Sequence, residues 1–182
     1  MKDRVKRVPA RAQPGSERSV TDAAAGQPTA APGTRLTVRP ARRSDVDAVT
    51  AIDAHATGLP KPAHWLELYR RQTVSAPARV IFLVATAAED TDRVLGFIVG
   101  EIRAWEFGSA PCGWVYALSV EAGARLSGVA ETLLAAIAAE FRKAGMSKMR
   151  TMVARDDRLP MLFFRSEGMM AGPYIQLEKD LE

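Results

Sequence analysis

The run Arg125-Leu126-Ser127-Gly128-Val129-Ala130 constrains this chain more than any other stretch. It follows a strand-like apolar segment, Gly113 to Val120, and opens a helix-like one, Val129 to Ala144. In the second segment Val129, Leu133, Ile137 and Phe141 recur every fourth residue, with Leu134 and Ala138 beside them. That is the stripe of a helix facing a core. A strand feeding a helix through a tight turn leaves the first N–H groups of the helix without internal partners. The helix dipole places partial positive charge at the same end, and a diphosphate fits there. Gly128 lets the backbone approach an anion with no Cβ in the way, and Arg125 can add a charge-assisted contact. An ordinary β-turn-α connection would carry the same six residues, so the rest of the chain has to decide between the two.

Residues 1–33 are rich in Ala, Pro, Gly, Ser and Arg and almost devoid of large apolar side chains. Such a segment cannot bury enough surface to offset its ordering entropy, which predicts a disordered tail. It lacks the apolar core of a secretory signal. Six basic and three acidic residues in this tail supply +3 of the net charge of +4. The folded part is therefore nearly neutral, which argues against nucleic-acid binding by it. No apolar run approaches the roughly 18 residues of a membrane span, so no membrane partner is expected. Cys112 is the only cysteine, which excludes an intrachain disulfide and fits a reducing cytoplasm. A lone Cys in a Pro-Cys-Gly turn reads as structural. His55 and His64 lie on separate segments, and no metal site is expected.

The domain is expected over residues 34–182. Leu36 and Val38 alternate with polar residues in a first strand. Ser44-Asp45-Val46-Asp47 is similar to a capping box, and Val46, Val49, Ile52 and Ala56 follow at helical spacing. Gly58, Pro60 and Pro62 end that helix, and a second one runs from about Ala63 to Val74. Val80 to Ala88 and Val94 to Trp105 form a hairpin, the second strand bent near Gly100. After Gly113 to Val120, the anion loop and the main helix come a strand, Lys148 to Ala154, a short helix, Leu159 to Glu167, and a last strand, Pro173 to Lys179. The order is β-α-α-β-β-β-α-β-α-β.

This order, with Arg125-x-x-Gly128-x-Ala130, resembles the GNAT family of N-acetyltransferases. The family loop has Gln or Arg, two residues, Gly, one residue, then Gly or Ala. Many members place Gly directly after the Arg; Leu126 stands there and implies a stiffer loop. A second family block has Asn, an Ala, Phe-Tyr or Leu-Tyr, three residues, Gly and Phe. Here Phe163-Phe164 and Gly168-Met169 fall in register, with Asp157 for the Asn and Pro160 for the Ala. The resemblance implies an α/β (α+β) acyl-CoA N-acyltransferase fold, a mixed central sheet flanked by helices. It implies acetyl-CoA or another acyl-CoA as co-substrate, no metal, and an amine acceptor, a small molecule rather than a protein. A monomer or homodimer in the cytoplasm fits it. The diphosphate falls to Arg125, Leu126, Ser127, Gly128, Val129, Ala130 and Glu131. Backbone groups of Leu118, Ser119 and Val120 match the positions that hold pantetheine and the thioester oxygen, and Asp157 and Phe164 line the cofactor from the second block.

The acid–base chemistry departs from the family. The usual Tyr acid is Phe164, a familiar Glu position is Met152, and Gly113 to Val120 carries no carboxylate. Tyr116, Tyr174, Glu101 and Glu106 remain. Tyr116, one pleat before Leu118, is expected on the same face and is the first choice as acid, with Tyr174 second. Glu101, beside an apolar run, is the base if desolvation raises its pKa. For each, a packed ring or a solvent-facing carboxylate is the plain alternative. Trp105, Phe107, Trp114 and Phe163 bring aromatics toward the acceptor side or fill the core, and His64, Trp65 and Tyr69 fall on the helices expected to line the acceptor cleft. Two functions stand: an acyl-CoA-dependent N-acetyltransferase, or a catalytically degraded relative that binds acyl-CoA as a sensor or interaction module.

Overall fold

The computed structural model describes residues 35–74, 79–105 and 108–181. The expectations for residues 1–33, Glu106 and Phe107 lie outside them. Strand β1 is Leu36–Pro40, helix α1 is Val46–Thr57 and α2 is Pro62–Val74. Then come β2, Val80–Ala87, β3, Asp90–Arg103, and β4, Cys112–Val120. Helix α3 is Val129–Lys143, β5 is Met149–Arg150 and α4 is Arg158–Ser166. The five strands lie in sequence order; β1 to β4 are antiparallel and β5 joins β4 in parallel.

The sheet separates two cores. On one face α3 packs Leu133, Ile137 and Phe141 against Leu83, Ile98 and Val115. On the other, α1 and α2 pack Val49, Trp65 and Leu68 against Phe82, Phe97 and Val99. The predicted stripe of α3 is thus the buried one. Gly100 and Gly113 let the helix lie close: a Cβ on Gly100 would stand 2.8 Å from Phe141 Cζ, and one on Gly113 would fall inside the contact distance of the same ring. Cys112 is buried at the start of β4, within a strand and not in a turn.

Three expectations are corrected. The strand expected over Lys148 to Ala154 shrinks to two residues, because β5 leaves β4 after pairing Met149 with Gly113 and Arg150 with Trp114. The strand expected over Pro173 to Lys179 is irregular chain with exposed Ile175 and Leu177; alternation is present there, but no described strand lies alongside to pair with it. The expected capping box is a 3-10 turn over Arg43–Asp45, and the Asp45 carboxylate accepts the Arg42 N–H at 2.6 Å. Asp45 also takes two bonds from the Arg39 guanidinium, at 2.6 and 2.9 Å. Burial pushes the Asp45 carboxyl up, but the Arg39 and Arg42 bonds outweigh it and hold it below the usual carboxylate range.

Candidate functional site

The first half of the site is the turn before α3. Arg125 is exposed, Leu126 sits at φ 65 with its side chain wholly in solvent, and Gly128 stands at φ 79 as the residue before the helix. Ser127 Oγ donates to the Ala124 carbonyl at 2.6 Å, so it does not cap α3. Helical bonding starts with Thr132 N–H to Gly128 O, 3.0 Å. The N–H groups of Val129, Ala130 and Glu131 therefore have no helical acceptor. Nothing lies within 4 Å of where a Gly128 Cβ would be. An uncapped N-terminus, open space and an exposed Arg125 with no partner among the described residues fit a CoA diphosphate.

The second half is the splay of β4 from β5. Beyond Trp114 the outer edge of β4 has no strand partner among the described residues, which frees backbone groups over Val115 to Val120. On its inner side β4 pairs Ala117 with Val99 and Val115 with Gly100, which leaves Tyr116 as the extra residue of a bulge. Alternation breaks there. Val115, Leu118 and Val120 pack toward α3, whereas Tyr116 and Ala117 pack toward α1 and α2. The expectation that Tyr116 shares a face with Leu118 is corrected: a plain pleat was assumed, and a bulged residue resets the period.

The splay opens a cleft of about 400 Å³. Its floor carries Tyr116, Leu118 and Ser119; α4 contributes Pro160 and Phe164, with Asp157 before it; α1 and α2 contribute Asp53, His64 and Trp65. Tyr116, Leu118, Ser119, Asp157 and Phe164 thus come together. The Tyr116 hydroxyl is buried without a hydrogen-bond partner among the described residues. Burial, then the charge of Glu101, pushes its pKa up to about 12.

Glu101 and Tyr174 do not line the cleft. Glu101 is held by Arg103 Nε at 2.8 Å and Arg71 Nη2 at 3.3 Å, so the carboxylate expected to be desolvated is paired with two guanidinium groups. Tyr174 is more than half exposed on the chain after α4, its ring 4.8 Å from the Arg150 guanidinium. Trp114 stacks under Arg103 at 4.5 Å, and Trp105 is exposed. Of the aromatics on the early helices, His64 and Trp65 reach the cleft and Tyr69 does not.

Sequence reasoning passed over Asp53 and Lys61. Asp53 is buried, and its Oδ2 lies 2.8 Å from Lys61 Nζ and 3.1 Å from Trp65 Nε1. One signal was available: Asp53 follows Val49 by four residues, so an acid stands on the apolar stripe of α1.

Residues 46–164 match the profile of the acetyltransferase (GNAT) family. The chain belongs to that family and is an acetyltransferase. Among curated proteins none matches it in sequence. Several solved structures share the fold. The aminoglycoside N-acetyltransferase AAC(6')-Iy in complex with CoA has a TM-score of 0.69 at 15% identity, over 81% of this chain and 96% of that one. The aminoglycoside 6'-N-acetyltransferase AAC(6')-Ih from Acinetobacter baumannii has a TM-score of 0.67 at 16% identity, over 81% and 100%. The aminoglycoside acetyltransferase meta-AAC0020 from an uncultured soil metagenomic sample, in complex with sisomicin, has a TM-score of 0.64 at 13% identity, over 81% and 97%. Among the described residues no helix is long and apolar enough to cross a membrane.

Proposed function

We propose that this acetyltransferase moves an acetyl group from acetyl-CoA to the amine nitrogen of a small molecule. The observation that carries the reading is the cleft that joins the open edge of β4 to a wall made by α1 and α2. A cleft of about 400 Å³ suits a small acceptor. The structural likeness to enzymes that acetylate aminoglycosides supports the same class.

The co-substrate supplies an activated thioester: a carbon–nitrogen bond forms, the carbon–sulfur bond breaks, the amine gives up a proton and the sulfur takes one. The N–H groups of Val129, Ala130 and Glu131, with Arg125, hold the diphosphate; Leu126 and Ser127 shape the turn around it. Backbone groups of Leu118, Ser119 and Val120 orient the pantetheine arm and polarise the carbonyl. Phe164 excludes water from the reacting atoms, and Asp157 borders the same end.

The Tyr116 hydroxyl, without a partner among the described residues, donates a hydrogen bond toward the sulfur or the carbonyl oxygen. Full transfer of its proton to a thiolate is uphill, since its pKa is near 12 and a thiol titrates near ~8.5. Its part is that of a donor that stays protonated, and water completes the exchange. Glu101, held by two guanidinium groups, acts through the potential it places on Tyr116. Tyr174, more than half exposed and stacked on Arg150, does not line the cleft and takes no direct part.

The test is thiol release from acetyl-CoA with a panel of small amines and N-terminal peptides, beside calorimetry of CoA on wild type and Gly128→Val. A side chain at Gly128 fills the cradle and is strained at φ 79. Equal CoA affinity in both proteins would overturn the cofactor site. Tight CoA binding without turnover on any amine would leave the sensor reading.

A further inference from the structure

Asp53 is a carboxylate placed where a helix of this kind carries apolar side chains, at the cleft wall. Both of its contacts, Lys61 Nζ and Trp65 Nε1, go to Oδ2. Oδ1 has no partner among the described residues. A carboxylate has room for about four hydrogen bonds, so capacity remains on a group that is almost out of water.

Lys61 is an unusual partner for it. It stands immediately before Pro62, the first residue of α2, at the positive end of that helix dipole, and the first turn of α2 has no acidic residue. A cation there is disfavoured by the helix; Asp53 is what holds it. The lysine side chain is one-third exposed and reaches Asp53 from the loop between α1 and α2. Lysine is a flexible point charge, readily exchanged for another ammonium, unlike the fixed fork of an arginine. Among the residues lining the cleft Lys61 is the single Lys or Arg, against Asp53 and Asp157. With the lysine swung out, the cleft offers two carboxylates.

We propose that Asp53 anchors a cationic group of the acceptor, and that the Lys61 ammonium keeps that position until the acceptor displaces it. The inference rests on the transferase reading above and narrows its substrate class. The acceptor is an amine carrying at least one further ammonium, the reacting nitrogen lying toward Tyr116 and the second cation on Asp53. No covalent step involves either residue; Asp53 is a specificity determinant and Lys61 a displaceable counter-ion.

The experiment is calorimetry of the triamine spermidine and of the aminoglycoside sisomicin on the full chain without acetyl-CoA, with benzylamine as the monoamine. Asp53→Asn keeps an acceptor for Trp65 Nε1 and should weaken both polycations at least tenfold, which is about 1.4 kcal/mol or more. Benzylamine affinity should change less than twofold. Lys61→Ala removes the competing cation and should tighten both polycations several-fold. In turnover, Asp53→Asn should raise KM for the polycation while kcat at saturation stays within about twofold.

Unchanged polycation affinity in Asp53→Asn would overturn the proposal, as would weaker binding in Lys61→Ala, or no polycation binding by wild type. Lys61 lies on a loop with its side chain one-third exposed, so its variant decides the question even if Asp53→Asn does not fold. Polycation binding that follows these expectations without any thiol release would remove the transferase reading and leave the cation site. Thiol release that ignores Asp53 would do the reverse.

Discussion

Tyr116 and Leu118 stand two residues apart on β4, yet they pack against opposite faces of the sheet. The bulge at Tyr116 produces this, and it sends the ring toward α1 and α2 while Leu118 stays with the α3 core. The hydroxyl it carries is buried and has no partner among the described residues.

Tyr116→Phe should therefore separate stability from activity. Removing an unsatisfied buried hydroxyl should leave the fold unchanged or more stable by about 1 kcal/mol, a Tm rise of roughly 2–4 °C for a domain of this size. Turnover should fall by about 10²-fold, the loss of one hydrogen-bond donor to the reacting atoms. The pH response gives a second reading. Because folding raises this pKa from 10 to about 12, the folded state holds the proton more tightly, and stability should fall as pH rises from about 10 toward 12. Urea unfolding across that window should show the slope in wild type, and a smaller one in the variant.

Gly113→Ala should destabilise the domain by about 1–3 kcal/mol, because the new methyl meets the Phe141 ring. Phe141→Leu in the same chain should restore part of the loss, whereas the two effects would add if the sites were independent. Thermal unfolding of the four members of the cycle measures the coupling.

Leu126→Gly should raise Tm by roughly 2 °C. The left-handed conformation costs a leucine about 1–2 kcal/mol, partly offset by the greater freedom of glycine in the unfolded chain. The side chain is wholly exposed, so no packing is lost. Leu126→Ala, which keeps the strain, should show no such gain.

Asp45→Asn should cost about 3 kcal/mol, since it leaves the Arg39 guanidinium beside a neutral amide in a nearly buried pair. The wild-type carboxyl is held low in the fold, so its contribution is present above about pH 4 and is lost as pH falls through the folded value. Urea midpoints between pH 6 and pH 2 should converge for the two proteins at the acid end.

The parts of the fold legible in the sequence were those with local grammar. The stripe of α3 and the Gly-bearing turn before it are written in spacing, and β2 and β3 in runs of β-branched and aromatic residues. What escaped depends on partners far along the chain. The bulge at Tyr116 arises from register against β3, and no local signal marks it. The alternation of Ile175 and Leu177 reads as a strand but has no described neighbour. The pairing of Glu101 with Arg71 needs α2 beside β3, which spacing does not disclose. Asp53 was visible as an acid on an apolar stripe, but Lys61 joins it only across the α1–α2 loop.

The open edge of β4 has a consequence for solubility as well as for chemistry. From Val115 to Val120 this strand offers backbone groups with no strand partner among the described residues, beside an open cleft, the kind of edge on which another chain can add itself. A ligand lying along that edge shields it. Colloidal stability should then be a titratable property: light scattering on warming should set in later as CoA is added, and a variant with a blocked Gly128 cradle should lose that protection without any change in its surface charge.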